Sequence, residues 1–198
     1  ATPPVAALSL RQISDVVTRL KLNTPSDHTI QFMMSGGMTT GTIRINFNEV
    51  VGSTNDVDYR DIDFAYGAPG FEREQVLLIQ PSTNIWGANL NPGTKILTLT
   101  FPTTNGTPLV TGDRVVLKIG NHAVFGKPDN YTLKQMINNE TQGSKQVDIS
   151  AGTDTGALAI PLISEDSIGV SGDLLRLQLT TPSSNKVLIT LLGGTRNA

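Results

Sequence analysis

The sequence predicts an all-β fold, an antiparallel β-sandwich of the Ig-like or jelly-roll-like type, and three observations lead to it. Apolar and polar residues alternate with a period of two in runs along most of the 198 residues. Turn-forming residues, 19 Gly and 11 Pro among them, separate these runs. The composition, 38% hydrophobic but only 5% aromatic and 16% charged, is typical of short strands joined by many turns. We therefore expect about 12 to 14 strands at spacings of about 8 to 12 residues, a pattern that favours a sandwich over a βα alternation.

The first 22 residues are the stretch in which periodicity leaves helix and strand open. The two interpretations place different side chains on one face: Leu10, Ile13, Val17 and Leu20 on a helix, or Val16, Thr18, Leu20 and Leu22 on a strand. The β-branched residues favour the strand. The preceding "TPPVAA" is expected to be extended, because proline fixes φ and has no amide donor. We predict an N-terminal arm over residues 1–22 and one sandwich domain over residues 23–198.

Two strands with a clear alternation follow the arm. Their predicted inward side chains are Ile30, Phe32 and Met34 in "HTIQFMM", and Ile43, Ile45 and Phe47 in "GTIRINF". The segment "SGGMTTG" between them is typical of a hairpin connection. The sequence therefore predicts that these two strands pair with each other.

The middle and the end of the chain continue the same pattern. Apolar faces are predicted in "KILTLTF", with Leu97, Leu99 and Phe101, and in "DRVVLKIG", with Val115, Leu117 and Ile119. Shorter apolar runs such as "GALAIPLI" and "KVLITLL" follow, separated by turn signals such as "GTDTG" and "PSSN". The whole of this region is therefore predicted to be β.

One segment, "STNDVDYRDIDFAYG", concentrates carboxylates: Asp56, Asp58, Asp61 and Asp63 lie within eight positions. Apolar residues alternate with them, but the phase shifts by one residue near Arg60 and Asp61. A β-bulge there would keep the apolar side chains on one face and every carboxylate on the solvated face. We therefore predict a bulged strand whose acidic side faces water.

A calcium site built from Asp56, Asp58, Asp61 and Asp63 is the alternative for this segment. The spacing does not fit an EF-hand loop, which needs a glycine at position six and a glutamate at position twelve. An irregular site completed by oxygen ligands from other loops stays open, because Ca²⁺ accepts ligands from separate segments. A pair of catalytic carboxylates is disfavoured, because such pairs in glycosidases are usually accompanied by aromatic sugar platforms and the chain has one Trp.

Other features argue against an enzyme, a cofactor or a nucleic-acid partner. The net charge is −2, and the 15 Lys and Arg are scattered, so the sequence has no basic stripe for a phosphate backbone. The chain has no Cys, no phosphate-binding loop and no nucleophile elbow. His28 and His122 are expected to be structural or exposed, and Trp86 is expected to lie in the core. No apolar run is long enough to predict a membrane span.

Secretion is a further expectation. The chain begins "ATPPVAALSL", without Met, which is compatible with removal of a signal peptide before a small residue. Three Asn-x-Ser/Thr sequons occur, at Asn105, Asn130 and Asn139, and the sequence leaves their glycosylation open.

A family resemblance supports this expectation. In this order, the segments "SDVVTRLKLNTPSDHTIQF", "GTIRINF", "VDYRDIDFAYG", "LVTGDRVVLKIGNHA", "KPDNYTL" and "TGALAIPLISEDSIGVSG" resemble a poorly characterised group of secreted, β-rich surface proteins of bacteria. The resemblance covers about residues 14–172, with a departure at "LKQMINNE", where a Thr-rich strand is the rule. It implies extracellular display, an Ig-like or related β-sandwich and a structural or adhesive role. It transfers no active-site residue.

These observations lead to two functional hypotheses. The first is a structural subunit of an extracellular filament or cell-surface layer, in which the arm adds a strand to a neighbouring copy and the contacts repeat head to tail. The side chains predicted to enter the neighbour are Leu8, Leu10, Ile13, Val16 and Val17. The alternative is a monomeric adhesin or glycan-binding module that uses loops at one end of the sandwich, with Ca²⁺ near Asp56 to Asp63.

Overall fold

The fold is described by a computed structural model, which covers residues 9–120 and 133–164 together with the backbone of two later strands. The strands are β1 (Arg11–Val17), β2 (Pro25–Ser26), β3 (His28–Met33), β4 (Thr42–Asn46), β5 (Val51–Ser53), β6 (Ile62–Gly67), β7 (Arg73–Gln75), β8 (Leu77–Leu78), β9 (Trp86–Asn91), β10 (Ile96–Thr100), β11 (Arg114–Ile119), β12 (Met136–Asn138), β13 (Gly143–Ala151), β14 (Asp154–Leu162), β15 (Leu174–Leu177) and β16 (Val187–Thr190). One 3₁₀ turn, Tyr59–Asp61, is the only helical element in the described part of the chain. The predicted all-β class is confirmed.

Two sheets form the body of the protein. The five-stranded sheet has the order β1-β3-β11-β6-β7, and all its neighbours are antiparallel. The six-stranded sheet has the order β14-β13-β4-β10-β9-β8, and only its last pair, β8 with β9, is parallel. A small three-stranded sheet, β2-β12-β5, lies beside them, and β15 pairs with β16. The architecture is that of a sandwich.

The core lies between the two large sheets, and the sequence alternation predicted its faces. The predicted inward residues of β3, β4, β10 and β11 are all buried and belong to one hydrophobic cluster. Trp86 is buried at its centre, with its ring centroid 4.8 Å from that of Phe64 and 4.9 Å from that of Phe101. These edge-to-face contacts join side chains of both sheets. The core position predicted for Trp86 is therefore confirmed.

The predicted hairpin between β3 and β4 is wrong. β3 pairs with β1 and β11 in the five-stranded sheet, whereas β4 pairs with β10 and β13 in the six-stranded sheet. The connecting residues cross from one sheet to the other, and the carboxylate of Asp154 holds them by accepting the backbone N–H groups of Ser35 and Gly36, both at 2.7 Å. Turn-forming residues predict that the chain changes direction, but they do not specify which sheet the next strand joins.

The described part of the N-terminal segment is not a separate arm. Its strand conformation is confirmed, but β1 pairs with β3 of the same chain, from Arg11 opposite Met33 to Val17 opposite His28. The predicted face is also wrong. A register shift follows Arg11, Gln12 has a positive φ of 50°, and Ile13 points into the core while Val16 is 63% exposed. A bulge of this kind reverses the alternation beyond it.

The acidic segment is not a bulged strand. Residues Tyr59–Asp61 form the 3₁₀ turn, and β6 begins only at Ile62. The apolar face predicted for β6 is confirmed, because Ile62, Phe64 and Tyr66 are buried. The prediction that every carboxylate is solvated fails at Asp61, which is completely buried.

Candidate functional site

Two of the four clustered carboxylates stabilise the 3₁₀ turn. The Asp58 carboxylate accepts the backbone N–H of Arg60 at 2.8 Å, and Asp61 Oδ2 accepts the backbone N–H of Asp58 at 2.8 Å. This reciprocal arrangement is a capping box, here with Asp in place of the usual Glu. The Arg60 guanidinium also binds Asp58, with Nη2 2.6 Å from Oδ2, and this hydrogen bond lowers the pKa of Asp58 below its ordinary value.

Asp61 also fixes two more distant segments. Its Oδ1 accepts the backbone N–H of Lys134 at 2.9 Å, and its backbone carbonyl accepts the N–H of Gly120 at 2.9 Å. Gly120 and Lys134 lie on the two sides of residues 121–132. A buried carboxylate that accepts several backbone N–H groups is well satisfied, so the geometry assigns Asp61 a structural role.

The four carboxylates of the calcium hypothesis are not gathered around one point. Asp56 is exposed, Asp58 and Asp61 are occupied by the turn, and Asp63 lies on β6 opposite Lys118. Residues 9–120 and 133–164 contain no group of three or more His, Cys, Asp or Glu side chains arranged to hold a metal ion. In the acidic segment, the Asp58 and Asp61 carboxylates thus stabilise the local backbone.

The N-terminal segment, residues 9–22, closes one side of the sandwich, which we call the closed side. On either side of the residues that pair with β3, it bonds to the other sheet: the N–H of Leu10 donates to Thr155 O of β14 at 2.8 Å, and the N–H of Leu22 donates at 3.0 Å to the O of Ile163, the residue after β14. Leu10 and Ile13 fill the space between the sheets. A Cβ at Gly156 would lie 2.2 Å from Ile13 Cδ1, so this glycine makes room for the isoleucine.

A buried polar network fastens the same segment. His28 Nδ1 lies 2.7 Å from Asp15 Oδ2, and both side chains are inaccessible to solvent. Ser26 Oγ lies 3.4 Å from His28 Nε2 and donates to Asn138 Oδ1 at 2.5 Å. Asn138 Nδ2 in turn donates to the backbone carbonyls of Arg19 and Lys21, both at 2.8 Å. Strand β1 and the residues after it are thus tied to β2, β3 and β12.

This network has the residue types of a Ser-His-Asp triad, which no local pattern in the sequence indicates. Asp15 and His28 are separated by 13 positions and lie on different strands, so no short motif joins them. Its geometry is structural, since Ser26 and His28 are completely buried and the Ser26 hydroxyl hydrogen is used by Asn138. A nucleophile needs access to its substrate and a base that receives its proton. His28 is therefore structural, one of the two roles expected for it from the sequence.

The opposite side of the sandwich exposes apolar side chains. We call residues 71–79, which include β7 and β8, the apolar edge. The strands β7 and β8 have only three and two residues and stand last in their sheets. Phe71 is 80% exposed and Ile79 61%, and Val76 and Leu78 are exposed as well. Exposed apolar residues in a group mark an interaction surface far more often than isolated ones do.

The turn that presents Phe71 is held in place by polar contacts. The N–H of Phe71 donates to Ala68 O at 2.8 Å, and the N–H of Gly70 donates to Glu72 Oε1 at 3.0 Å. Glu72 also forms an ion pair with Arg114 of β11. That hydrogen-bonded pair lowers the pKa of Glu72 from 4.5 to about 2. These hydrogen bonds and the ion pair hold the turn in the conformation that exposes Phe71.

The outer surface of the six-stranded sheet is a second unpartnered surface, which we call the polar face. Residues that alternate with the core residues of β4, β10 and β13 point outward here, among them Arg44, Asn46, Thr98 and Asp148. Two shallow grooves, of about 520 and 440 Å³, lie along it and share Arg44 and Ile96 in their walls. Hydroxyl, amide and charged groups line this face together with apolar side chains such as Ile96 and Ala157.

Comparisons with known proteins add little to this geometry. No protein-family model matches the sequence, and no curated protein sequence matches it. Among solved structures, the crystal structure of BslA, described as a bacterial hydrophobin, is similar with a TM-score of 0.38 and 9% identity, over 78% of this chain and 98% of that one. We draw no functional conclusion from a similarity at this level.

The predicted interface residues have different outcomes. Leu10 and Ile13 are used in the chain's own core, Val17 is half-buried, Val16 is exposed, and Leu8 lies outside the described residues.

Of the predicted glycosylation sequons, Asn105 is exposed, and Asn139 is half-buried and donates to Glu49 O at 2.8 Å. His122 and Asn130 also lie outside the described residues. No helix in the described part has the length and apolar character that crossing a membrane requires.

The apolar edge was not predicted from the sequence. A signal was present in "FEREQVLLI", where the charged residues Glu72 to Glu74 are followed by four consecutive apolar residues, Val76 to Ile79. Such a run in a β protein is usually a buried strand. Leu77 is buried, and the exposure of Val76, Leu78 and Ile79 became visible only in the structure.

Proposed function

We propose that this chain is a structural subunit of an extracellular filament or cell-surface layer, held together by contacts between copies of itself. The observation that carries the proposal is the apolar edge, with Phe71 80% and Ile79 61% exposed beside two strands at the ends of their sheets. Burying these side chains against a partner is favourable by about 1.5–3 kcal/mol for each large apolar residue.

The kind of partner follows from what the edge offers. A terminal strand has a row of N–H and C=O groups on its outer side, and the natural partner for these is another strand edge. The exposed charges of β7 have both signs, Arg73 and Glu74, so the edge selects neither a basic nor an acidic partner. A second copy of the chain has both a free strand edge and charges of both signs.

A filament needs a second kind of contact, and the N-terminal segment supplies it in our proposal. A contact in which both copies use the same patch closes into a dimer, whereas a different second contact lets assembly continue. Residues 9–22 already occupy a strand-shaped site between the two sheets, with Leu10 and Ile13 as anchors. Exchange of this segment between copies would preserve the same pairing and burial in a neighbour.

Extracellular display is part of the proposal. It rests on the resemblance of segments between residues 14 and 172 to secreted surface proteins of bacteria. The polar network and the large core suit a subunit that must fold without disulfides, since the chain has no Cys.

The first experiment tests the apolar edge. The doubly substituted chain Phe71→Ser/Ile79→Ser is compared with the unchanged chain by sedimentation velocity over a hundredfold range of concentration. We expect the unchanged chain to associate and the double variant to stay monomeric. Val110→Ser is the matched control, because Val110 is 56% exposed but lies outside the edge. Equal association of all three proteins would contradict the proposed role of the edge.

The second experiment tests strand exchange and uses the absence of Cys. Ser14 lies directly opposite Gln31 in the β1–β3 pair, at a separation that a disulfide can bridge. The single variants Ser14→Cys and Gln31→Cys are mixed, incubated and oxidised. A crosslinked heterodimer is expected if β1 of one copy pairs with β3 of another. A mixture of Ser14→Cys with Ser150→Cys, which lies on β13, is the control.

The double variant Ser14→Cys/Gln31→Cys completes this test. If it forms its disulfide within one chain while the mixture of single variants gives no heterodimer, the strand stays in its own chain and the exchange mechanism is wrong. Association through the apolar edge would then have to be judged from the first experiment alone.

A further inference from the structure

The polar face is built from two rows of side chains that cross the six-stranded sheet. Cross-strand pairing places Arg44 between Ser150 and Thr98, and Asn46 between Asp148 and Ile96. The complete rows are Thr155–Ser150–Arg44–Thr98–Asn89 and Ala157–Asp148–Asn46–Ile96–Asn91. Each row spans five strands, about 19 Å at about 4.8 Å between neighbouring strands.

Two neighbouring grooves indent this surface. Ala157 lines one of them, and Gly87, over which Pro81 packs, lines the other. Both grooves have Arg44 and Ile96 in their walls, so they lie side by side across the sheet. An extended ligand that follows the rows therefore passes both grooves.

The polar groups of the face include both donors and acceptors of hydrogen bonds. Hydroxyls of Ser and Thr and side-chain amides of Asn can each do both. Arg44 contributes a cation and Asp148 an anion in the neighbouring row, so the two rows have no net charge. Asp148 already accepts a hydrogen bond from Gln146 Nε2 at 2.5 Å. Arg44 is exposed and has no hydrogen-bond or ion-pair partner among the residues that the structure describes.

We propose that the polar face binds an extended, uncharged glycan chain. Sugar hydroxyls donate and accept hydrogen bonds, as the Asn, Ser and Thr side chains of the two rows do. Arg44, at the centre of the face, donates to sugar oxygens from both grooves, while Asp148 and Asn46 accept from neighbouring hydroxyls. Ile96 provides an apolar contact for the face of a sugar ring.

Charge decides between an uncharged and an acidic glycan. An acidic chain would gain an ion pair with Arg44 but would pass Asp148 in the adjacent row, and the whole protein carries a net charge of −2. An uncharged chain uses both groups as hydrogen-bond partners and meets no repulsion. This site is distinct from the loops near Asp56 to Asp63, and it meets the apolar edge at Ile79, which lines one of the grooves. The proposed binding does not require self-association.

The test measures binding to defined polysaccharides. The full-length chain is applied to an array of uncharged linear glucans, mannans and galactans, with uronate-containing polysaccharides as the acidic arm. Binding is then measured in solution with oligosaccharides of the best polymer, by titration calorimetry and by amide shifts in a ¹⁵N spectrum. We expect an uncharged glycan to bind and to shift amides of β4, β10 and β13.

Variants locate the site. Arg44→Ala is expected to weaken binding by about tenfold or more, the factor for the loss of a hydrogen bond from a charged group. Asn46→Ala should weaken it by a smaller factor. Arg73→Ala removes an equally exposed guanidinium outside the face and should leave the affinity unchanged. Thermal unfolding of each variant confirms that the fold persists, which is expected because these side chains are not part of the core.

Three results would overturn the proposal. The first is no binding to any uncharged glycan of the array. The second is binding that shifts amides elsewhere and is indifferent to Arg44→Ala. The third is binding of acidic polysaccharides alone, weakened by added salt, which would replace an uncharged ligand with an anion held by Arg44.

Discussion

The two sides of the sandwich differ in how the edges of the sheets are covered. On the closed side, residues 9–22 bridge β3 and β14, bury Leu10 and Ile13, and end in the polar network around His28. On the other side, β7 and β8 are two short terminal strands that leave Phe71 and Ile79 in solvent. A sheet edge can be covered within the chain or left for a partner, and this protein does one on each side.

The comparison assigns different tasks to the two sides. Removing a contact on the closed side disturbs the core, so changes there should appear as lost stability. Removing an exposed apolar group on the other side leaves the core intact, so changes there should appear in association. The following predictions test this division, beginning with the largest expected effect.

The substitution Asp15→Ala should be the most damaging. It leaves the His28 imidazole buried without its hydrogen-bond partner, and leaving a buried polar group unsatisfied costs about 1–3 kcal/mol, or more where a charged group is involved. The loss is measured as the free energy of unfolding in urea, with the fluorescence of the single, buried Trp86 as the signal. Asp148→Ala, on the exposed face of β13, is the control and should change stability by less than about 0.5 kcal/mol. A comparable effect of both substitutions would show that the network does not fasten the closed side.

The substitution Gly156→Ala should cost about 1–3 kcal/mol. The new methyl group would lie 2.2 Å from Ile13 Cδ1, so the isoleucine or the strand must move. Ile13→Val removes that methyl group, and the double variant should recover part of the loss. Urea unfolding of the four proteins gives the coupling energy. Strict additivity of the two substitutions would contradict the contact.

On the apolar edge, Phe71→Ser and Ile79→Ser should each change the free energy of unfolding by less than about 0.5 kcal/mol when measured on dilute, monomeric protein. Ile13→Ala on the closed side is the comparison, with an expected cost of about 2–5 kcal/mol. If the edge variants were as destabilising as this one, the edge would belong to the core and the division between the two sides would fail.

The smallest effect concerns pH and the turn that presents Phe71. Because the pKa of Glu72 is lowered from 4.5 to about 2, its ion pair with Arg114 contributes stability above pH 4.5, and this contribution is lost as the pH falls towards 2. Glu72→Gln should therefore flatten the pH dependence of the unfolding midpoint in this window. Glu74→Gln on the same edge is the matched control. Identical pH profiles for Glu72→Gln and the unchanged chain would contradict the ion pair.

The local pattern predicted much of the fold because alternation is a property of neighbouring residues. In β3, β4, β6, β10 and β11 the inward residues could be named from the sequence, since successive side chains of a strand point to opposite faces. It failed where one residue changes the phase. The bulge at Gln12 and the 3₁₀ turn at Tyr59–Asp61 both break the period of two, and both moved a residue to the side that the pattern did not predict.

The candidate sites were predicted less well, because they depend on residues that are far apart in the chain. The acidic segment was predicted to be exposed, but Asp61 is buried. Its carboxylate accepts hydrogen bonds from the backbone N–H groups of Asp58 and Lys134. His28 finds Asp15 on another strand. Burial and partnership of a polar group are set by the whole packing, and the sequence around that group does not contain this information.

The sequence by itself determined that this protein is a β-sandwich with a core of alternating apolar residues, since spacing within each strand decides which face is apolar. Only the tertiary structure decided which sheet each strand joins, that residues 9–22 close one side of their own domain, and that Phe71 and Ile79 stay exposed on the other. The physical reason is that strand pairing is made by backbone groups that every residue carries. The choice of partner therefore depends on the summed packing of the whole chain.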